Sequence, residues 1–145
     1  MSEASWLSEP ARAGVFHLTR DARELADAAA AAGLAAYRVD IGHAHDGEDF
    51  LRHASQAMNF PGRFGASREA FAEGLKDLSW TGAKGWAVIL EKSKHFCAGH
   101  RHEFEEAMEL MAEAADYWRG RSAPFWTLIG GPDGWKSGWP DMPDA

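Results

Sequence analysis

Apolar residues recur along this chain with two different periods. Short runs rich in β-branched and aromatic residues, "GVFHLT" (14–19), "AAYRVDI" (35–41), "GWAVILE" (85–91) and "PFWTLI" (124–129), predict strands. The third is almost continuously apolar, which suits a strand covered on both faces. Between these runs the spacing changes to that of helices. In 21–33, "DARELADAAAAAG", Asp21 can cap, Glu24 completes a capping box three residues on, and Gly33 stops the helix. A second helix is predicted over 46–58, capped by Asp46, with Phe50, Leu51, Ala54 and Met58 on one face. A third is predicted over 67–78 with Ser67 as its cap, and a fourth over 103–119 with a stripe of Phe104, Ala107, Met108, Met111, Ala115 and Trp118. Strands alternating with helices predict the α/β class: a small, mostly parallel β-sheet of about four strands packed with helices.

The ends read differently. Residues 1–13 are small, polar and broken by Pro10, and 131–145, "GPDGWKSGWPDMPDA", are rich in Gly, Pro and Asp. They are expected to be an N-terminal and a C-terminal tail, or strips covering the body, around one domain over 14–130. Trp6, Trp135 and Trp139 are apolar enough to pack on it. A chain of 145 residues is long enough to bury a core without staples.

Charge narrows the partners. Fifteen Lys and Arg stand against 22 Asp and Glu, a formal net charge of −7. Such a field repels nucleic acid and anionic membranes and attracts a basic protein. Cys97 is the single cysteine, so no internal disulfide forms. The first residues are acidic and lack an apolar run, and no stretch reaches the ~18 apolar residues of a membrane span. These features point to the cytoplasm and to a chain that is a monomer when free.

Signals for catalysis are weak. "KHFCAGHRHEFEE" places His95, Cys97, His100 and His102 within eight residues, donors that suit a transition metal. The spacing matches no standard zinc motif, the site would have to come from one loop, and the competing reading is a set of solvated residues beside Glu103, Glu105 and Glu106. A Cys–His nucleophile there lacks an oxyanion hole and an orienting third group. His43, His45 and Asp46 follow a strand end, where α/β folds often bind ligands, but Asp46 has a sufficient role as a helix cap. "GRFG" and "IGGPDG" are not phosphate-binding fingerprints. No cofactor is implied.

The third helix is more specific. Ala70, Phe71, Gly74, Leu75 and Leu78 take its core face, leaving Glu69 and Glu73 one turn apart on the outer face with Arg68, Ala72, Lys76 and Asp77. Like charges at that spacing cost an isolated helix about 0.2–0.5 kcal/mol. In the last predicted helix Glu106, Glu109, Glu113 and Asp116 form a second acidic stripe. If the two helices lie side by side, their carboxylates merge into one patch able to steer a basic partner.

The stretch "FPGRFGASREAFAEGLKDLSW" (60–80) resembles the signature of the barstar family of ribonuclease inhibitors. That signature is an apolar-Pro-x-aromatic-aromatic-Gly-x-Asn loop before a helix close to Leu-Asp-Ala-Leu-x-Asp-x-Leu, often ending in Trp. Phe60, Pro61, Phe64 and Gly65 match the loop. Glu69, Ala70, Phe71, Glu73, Leu75, Asp77, Leu78 and Trp80 match or conservatively replace the helix. The order of elements over about 14–130 is also similar to the longer bacterial members. The resemblance implies a protein that catalyses nothing and blocks a basic ribonuclease or ribonuclease-type toxin, its carboxylates standing where substrate phosphates would sit. Glu73 then takes the central phosphate-mimicking position and Glu69 its companion. Arg63 and Phe64 occupy the loop's aromatic positions, Gly65 the turn and Ser67 the usual Asn, while Glu113 matches a carboxylate on the later helix. Departures are Arg63 for an aromatic, Ala72 for a usual Trp, two Glu for Asp, and a cationic Lys76 nearby. The partner surface implied is therefore Arg63, Phe64, Gly65, Ser67, Glu69, Ala72, Glu73, Lys76 and Glu113. Two alternatives stay open: a metal-binding protein using His95, Cys97, His100 and His102, and an interaction module of the same fold with another kind of partner.

Overall fold

The computed structural model describes residues 5–143 apart from Gly65 and Ala66, and the side chain of Arg63 also lies outside that description. Among the described residues, four strands form one all-parallel sheet: β1 (Val15–His17), β2 (Ala35–Asp40), β3 (Trp86–Glu91) and β4 (Phe125–Ile129), in the order β1-β4-β3-β2. The α-helices are α1 (Ala22–Ala31), α2 (Gly47–Ala57), α3 (Arg68–Leu75), α4 (Lys94–Gly99) and α5 (Arg101–Arg119). This is the α/β architecture predicted from the sequence, with each predicted strand present. Among the described residues no helix is long and apolar enough to cross a membrane.

The central strands explain their own composition. In β3, Trp86, Val88 and Leu90 enter one core while Ala87 and Ile89 enter the other. In β4, Phe125 and Ile129 face the first core and Trp126 and Leu128 the second. With both faces covered, no position is left for a polar alternation. At one edge, β2 carries the exposed Arg38 and Asp40, charges that discourage pairing with another sheet.

The first core lies between the sheet and helices α2 to α5. Phe50, Phe71, Phe96, Phe104, Met108 and Met111 are fully buried there. Among the described residues α1 is the one α-helix in the second core, and its inner residues include the small Ala29 beside Leu25. Alanine side chains leave space, and the two chain ends occupy it. Trp6 is 1% exposed and meets Trp126 edge-on at 5.0 Å, and Trp126 Nε1 donates to the Leu7 carbonyl at 2.7 Å. From the other end Met142 enters the same core.

The C-terminal segment also covers the free edge of β1. The His17 amide donates to the Pro140 carbonyl at 2.6 Å and the Met142 amide donates to the His17 carbonyl at 3.0 Å. Ser137 is buried against His17, its hydroxyl 3.0 Å from Nδ1. Of the two roles the composition allowed for these segments, they adopt that of covering strips, with Trp135 and Trp139 half-buried against the first core.

One element departs from expectation. The stretch around His95 to His100 reads as a loop, yet Lys94–Gly99 is helical and α5 begins at Arg101 rather than 103. Phe96 lies parallel to Phe50 and edge-on to Phe104, each at 5.9 Å. A six-residue helix is unstable alone, so this buried anchor holds it, and such an anchor has no local signature.

Candidate functional site

Helix α3 is positioned by an aromatic cluster. Phe60 stacks on Phe71 at 5.1 Å and meets Trp80 edge-on at 5.1 Å, while Phe64 stacks on Trp80 at 5.6 Å. Gly74 makes this possible, because a Cβ there would stand 2.6 Å from Phe60 Cε2 and 2.9 Å from Phe64 Cβ. Trp80 Nε1 donates to the Met58 carbonyl at 3.1 Å, tying the cluster to the end of α2. The rings of Phe60 and Phe64 are thus pressed onto α3 and Trp80, which anchors the described part of the loop. Phe64 is only 8% exposed, so it shapes the loop from inside.

At the start of α3 the Ser67 hydroxyl accepts from the Ala70 amide at 3.1 Å, the cap predicted for it. The helix ends at Leu75, earlier than the expected 78. Lys76 is its C-cap, and Leu78 follows with φ 54° and its side chain buried.

Helices α3 and α5 lie side by side and run in the same direction. Arg68 Nη2 donates to Glu106 Oε1 at 3.1 Å near their beginnings, and Trp118 Nε1 donates to the Leu75 carbonyl at 2.7 Å near their ends. Interpolation between these anchors puts Glu113 level with the middle of α3. Glu69, Glu73, Lys76 and Glu113 are all exposed, and Ala72 is half-buried. Among the described residues none of the carboxylates of Glu69, Glu73 and Glu113 forms an ion pair. Arg68, by contrast, is held by Glu106, so one of the two cations flanking the acidic pair is already neutralised within the chain. The Arg63 side chain and all of Gly65 fall outside the described residues.

A groove of about 1120 Å³ adjoins this surface, between the starts of α2, α3 and α5 and the loop at Pro61 and Gly62. Asp46, Asp49, Glu103 and Glu106 line it together with Arg52 and Arg68. Asp49 is held below the usual carboxylate range, first by the His45 amide and then by Arg52. Glu103 accepts from the Gly47 amide at the start of α2. The contribution of α2 to this acidic rim had no sequence signal beyond the cap at Asp46, because only packing brings the N-termini of α2 and α5 together.

The residues of the His/Cys stretch separate. Cys97 is 1% exposed and faces the C-terminal strip: Arg101 Nη1 donates to its Sγ at 2.9 Å and to the Ser137 carbonyl at 3.0 Å. Burial pushes its thiol up, so it is a poor thiolate and a poor nucleophile. His102 points toward Glu106, 3.7 Å away. The set His95, Cys97, His100 and His102 therefore does not converge. His95 and His100 instead meet His45.

No curated protein and no solved structure matches this chain. A family model described as Barstar (barnase inhibitor) matches residues 34–130, from the approach to β2 through the end of β4. That range includes the whole of the signature loop, α3 and α5, and leaves β1 and α1 outside although β1 is hydrogen-bonded into the same sheet. With the match covering well over half of its length, this chain belongs to the barstar family.

Proposed function

We propose that this protein is a non-enzymatic inhibitor that binds a basic ribonuclease or ribonuclease-type toxin in the cytoplasm, laying α3, the loop before it and the adjacent stripe of α5 over the partner's active site. The family is described as barnase inhibitors, and the resemblance over Phe60 to Trp80 would put the binding surface on α3 and the loop before it. A carboxylate offers arginine the same planar, bidentate acceptor that a phosphate does, so Glu69 and Glu73 can occupy the partner's phosphate positions.

The observation that carries this reading is Glu73. It stands in the last turn of α3, where the helix dipole disfavours negative charge, and one turn after Glu69, which repels it. It is exposed and forms no ion pair among the described residues. Among the described residues no ion pair offsets these costs, whereas a basic partner would. Glu69, in the first turn, is favoured by the dipole and is less diagnostic.

The test is to mix the purified protein with basic ribonucleases, beginning with those encoded beside its own gene. The expected result is loss of RNA cleavage and a complex that weakens as ionic strength rises from about 0.05 to 0.5 M. Failure to bind any such enzyme at low salt would overturn the proposal.

A further inference from the structure

Three of the chain's seven histidines converge at a place outside the residues of the surface proposed above. His45 lies in the connection between β2 and α2, His95 in the first turn of α4, and His100 at the junction of α4 and α5. One ring nitrogen from each lies within 4.8 Å of the others. The His45 and His95 rings meet edge-on at 5.5 Å, and the His95 and His100 rings at 5.7 Å.

The backbone explains the convergence. On an unbroken helix, residues five apart point about 140° away from each other. The helix breaks at His100, where φ −136° and ψ 53° leave the helical region, so its ring need not follow α4. Phe96 anchors α4 from below, and the Phe96 carbonyl accepts from the His100 amide at 2.9 Å. On the other side the His45 amide donates to Asp49 Oδ2 at 3.0 Å, which holds its loop against the start of α2.

We propose that His45, His95 and His100 form a binding site for a divalent first-row transition metal ion of the zinc class. Imidazole nitrogens bind such ions at about 2.0–2.1 Å, so neighbouring nitrogens in a tetrahedral site are about 3.3–3.4 Å apart. The present spread closes to that by small side-chain rotations, and His45 and His95 are exposed and free to make them. Three protein ligands on the surface leave at least one position for water, as in an open and exchangeable site rather than a closed structural one. Imidazole donors without a carboxylate or thiolate favour zinc, nickel or copper over magnesium or calcium. This inference stands independently of the inhibitor reading.

The experiment is calorimetric titration of Zn²⁺ into untagged, chelator-stripped protein at pH 7.5. One equivalent is expected to bind. Losing a group that merely orients a metal ligand typically costs about 10–100-fold in affinity, so replacing a ligand should cost roughly 100-fold. His45→Ala, His95→Ala and His100→Ala are each expected to do so, while His43→Ala and His102→Ala change affinity less than about twofold. Thermal melts without metal establish that each variant is folded, and His→Gln versions serve for any that is not. Absence of binding at about 100 µM Zn²⁺, at which a site of micromolar affinity is filled, would overturn the proposal. So would equal losses in the trio and the control variants, or a trio variant with wild-type affinity.

Discussion

The edge at β2 and the face of α3 both carry dense charge, and they treat it in opposite ways. At the edge, Arg38 grips Glu91 through two hydrogen bonds of 2.8 and 2.9 Å, Lys92 reaches Asp40 at 3.3 Å, and the Gly42 amide donates to Asp40 at 2.8 Å. Asp40 is held below the usual carboxylate range, chiefly by that amide. On α3, Glu69 and Glu73 stand a turn apart, facing outward with no such partner among the described residues. Charges at the edge are answered within the fold and serve to keep the edge strand from pairing. On α3, Glu73 stands in the last turn beside Glu69, where its charge costs the helix stability, and a docking partner of the kind proposed above would answer it.

Glu73→Ala should break the comparison most sharply. Truncating one member of a buried, hydrogen-bonded interfacial charge pair costs about 2–5 kcal/mol, a range that barnase–barstar itself helped to establish, or roughly 30-fold to several thousand-fold in Kd. Stability should meanwhile hold or rise slightly, because a like-charge neighbour of Glu69 is gone. Affinity by surface plasmon resonance and a thermal melt check both, with Glu48→Ala as the remote control. Equal losses at Glu73 and Glu48 would mean that α3 is not the interface.

The next effect concerns the platform rather than the charge. Gly74→Ala puts a methyl into Phe60 and Phe64, and overpacking of this sort costs about 1–3 kcal/mol, partly offset by the better helix propensity of alanine. Denaturant unfolding should show the loss, and partner affinity should fall with it because the loop is pushed off α3. Unchanged stability would mean that the ring cluster yields more easily than its contacts indicate.

A third prediction uses pH on an internally satisfied pair. His17 is buried beside Ser137, and desolvation first, then Lys136, lowers its pKa below the ordinary 6.5. Its Nδ1 accepts from the Ser137 amide at 3.3 Å, a geometry that suits the neutral ring. Below pH 6.5 the unfolded chain takes up a proton that the folded chain resists, so stability should decline as pH falls from 6.5 toward the lowered folded value. Above 6.5 both forms are neutral and His17 adds no slope. Melts of the wild type and His17→Gln across pH 5–8, roughly the range over which histidine charge changes, should show a flatter acid limb in the variant.

Smallest of all should be Arg38→Ala. Exposed ion pairs contribute little, and this one faces solvent at the sheet edge. The melting temperature should stay within a few degrees, and affinity for the partner proposed above should not move. A clear loss of binding would place the edge in the interface and erase the contrast with α3.

Much of this was legible before any coordinates. Asp21, Asp46 and Ser67 cap the helices that their spacing marks, accepting from Glu24, Asp49 and Ala70 amides. The apolar runs of β3 and β4 announced a sheet covered on both faces. These signals are local, since a cap acts three residues away and a strand declares itself by its own side chains. The signature between Phe60 and Trp80 was legible for the same reason, with the loop and helix contiguous.

What failed to show was set by contacts distant in sequence. Phe96 turned a histidine-rich stretch into α4 by stacking on Phe50, 46 positions earlier. Arg68 lost its availability to Glu106, and Cys97 was withdrawn from any metal set by Arg101 and Ser137. The tails became covers because the small side chains of α1 left one face of the sheet to be filled by Trp6, Leu7 and Met142. The sequence by itself determined the α/β class, the boundaries of α1, α2, α3 and α5 to within a few residues and the acidic helix behind its loop, all through periodicity and capping that act over a few residues. Only the tertiary structure decided which charges are answered internally, which stay open, and that His45 meets His95 and His100. Those outcomes depend on which side chains are brought together when the layers pack, a distance that no spacing along the chain encodes.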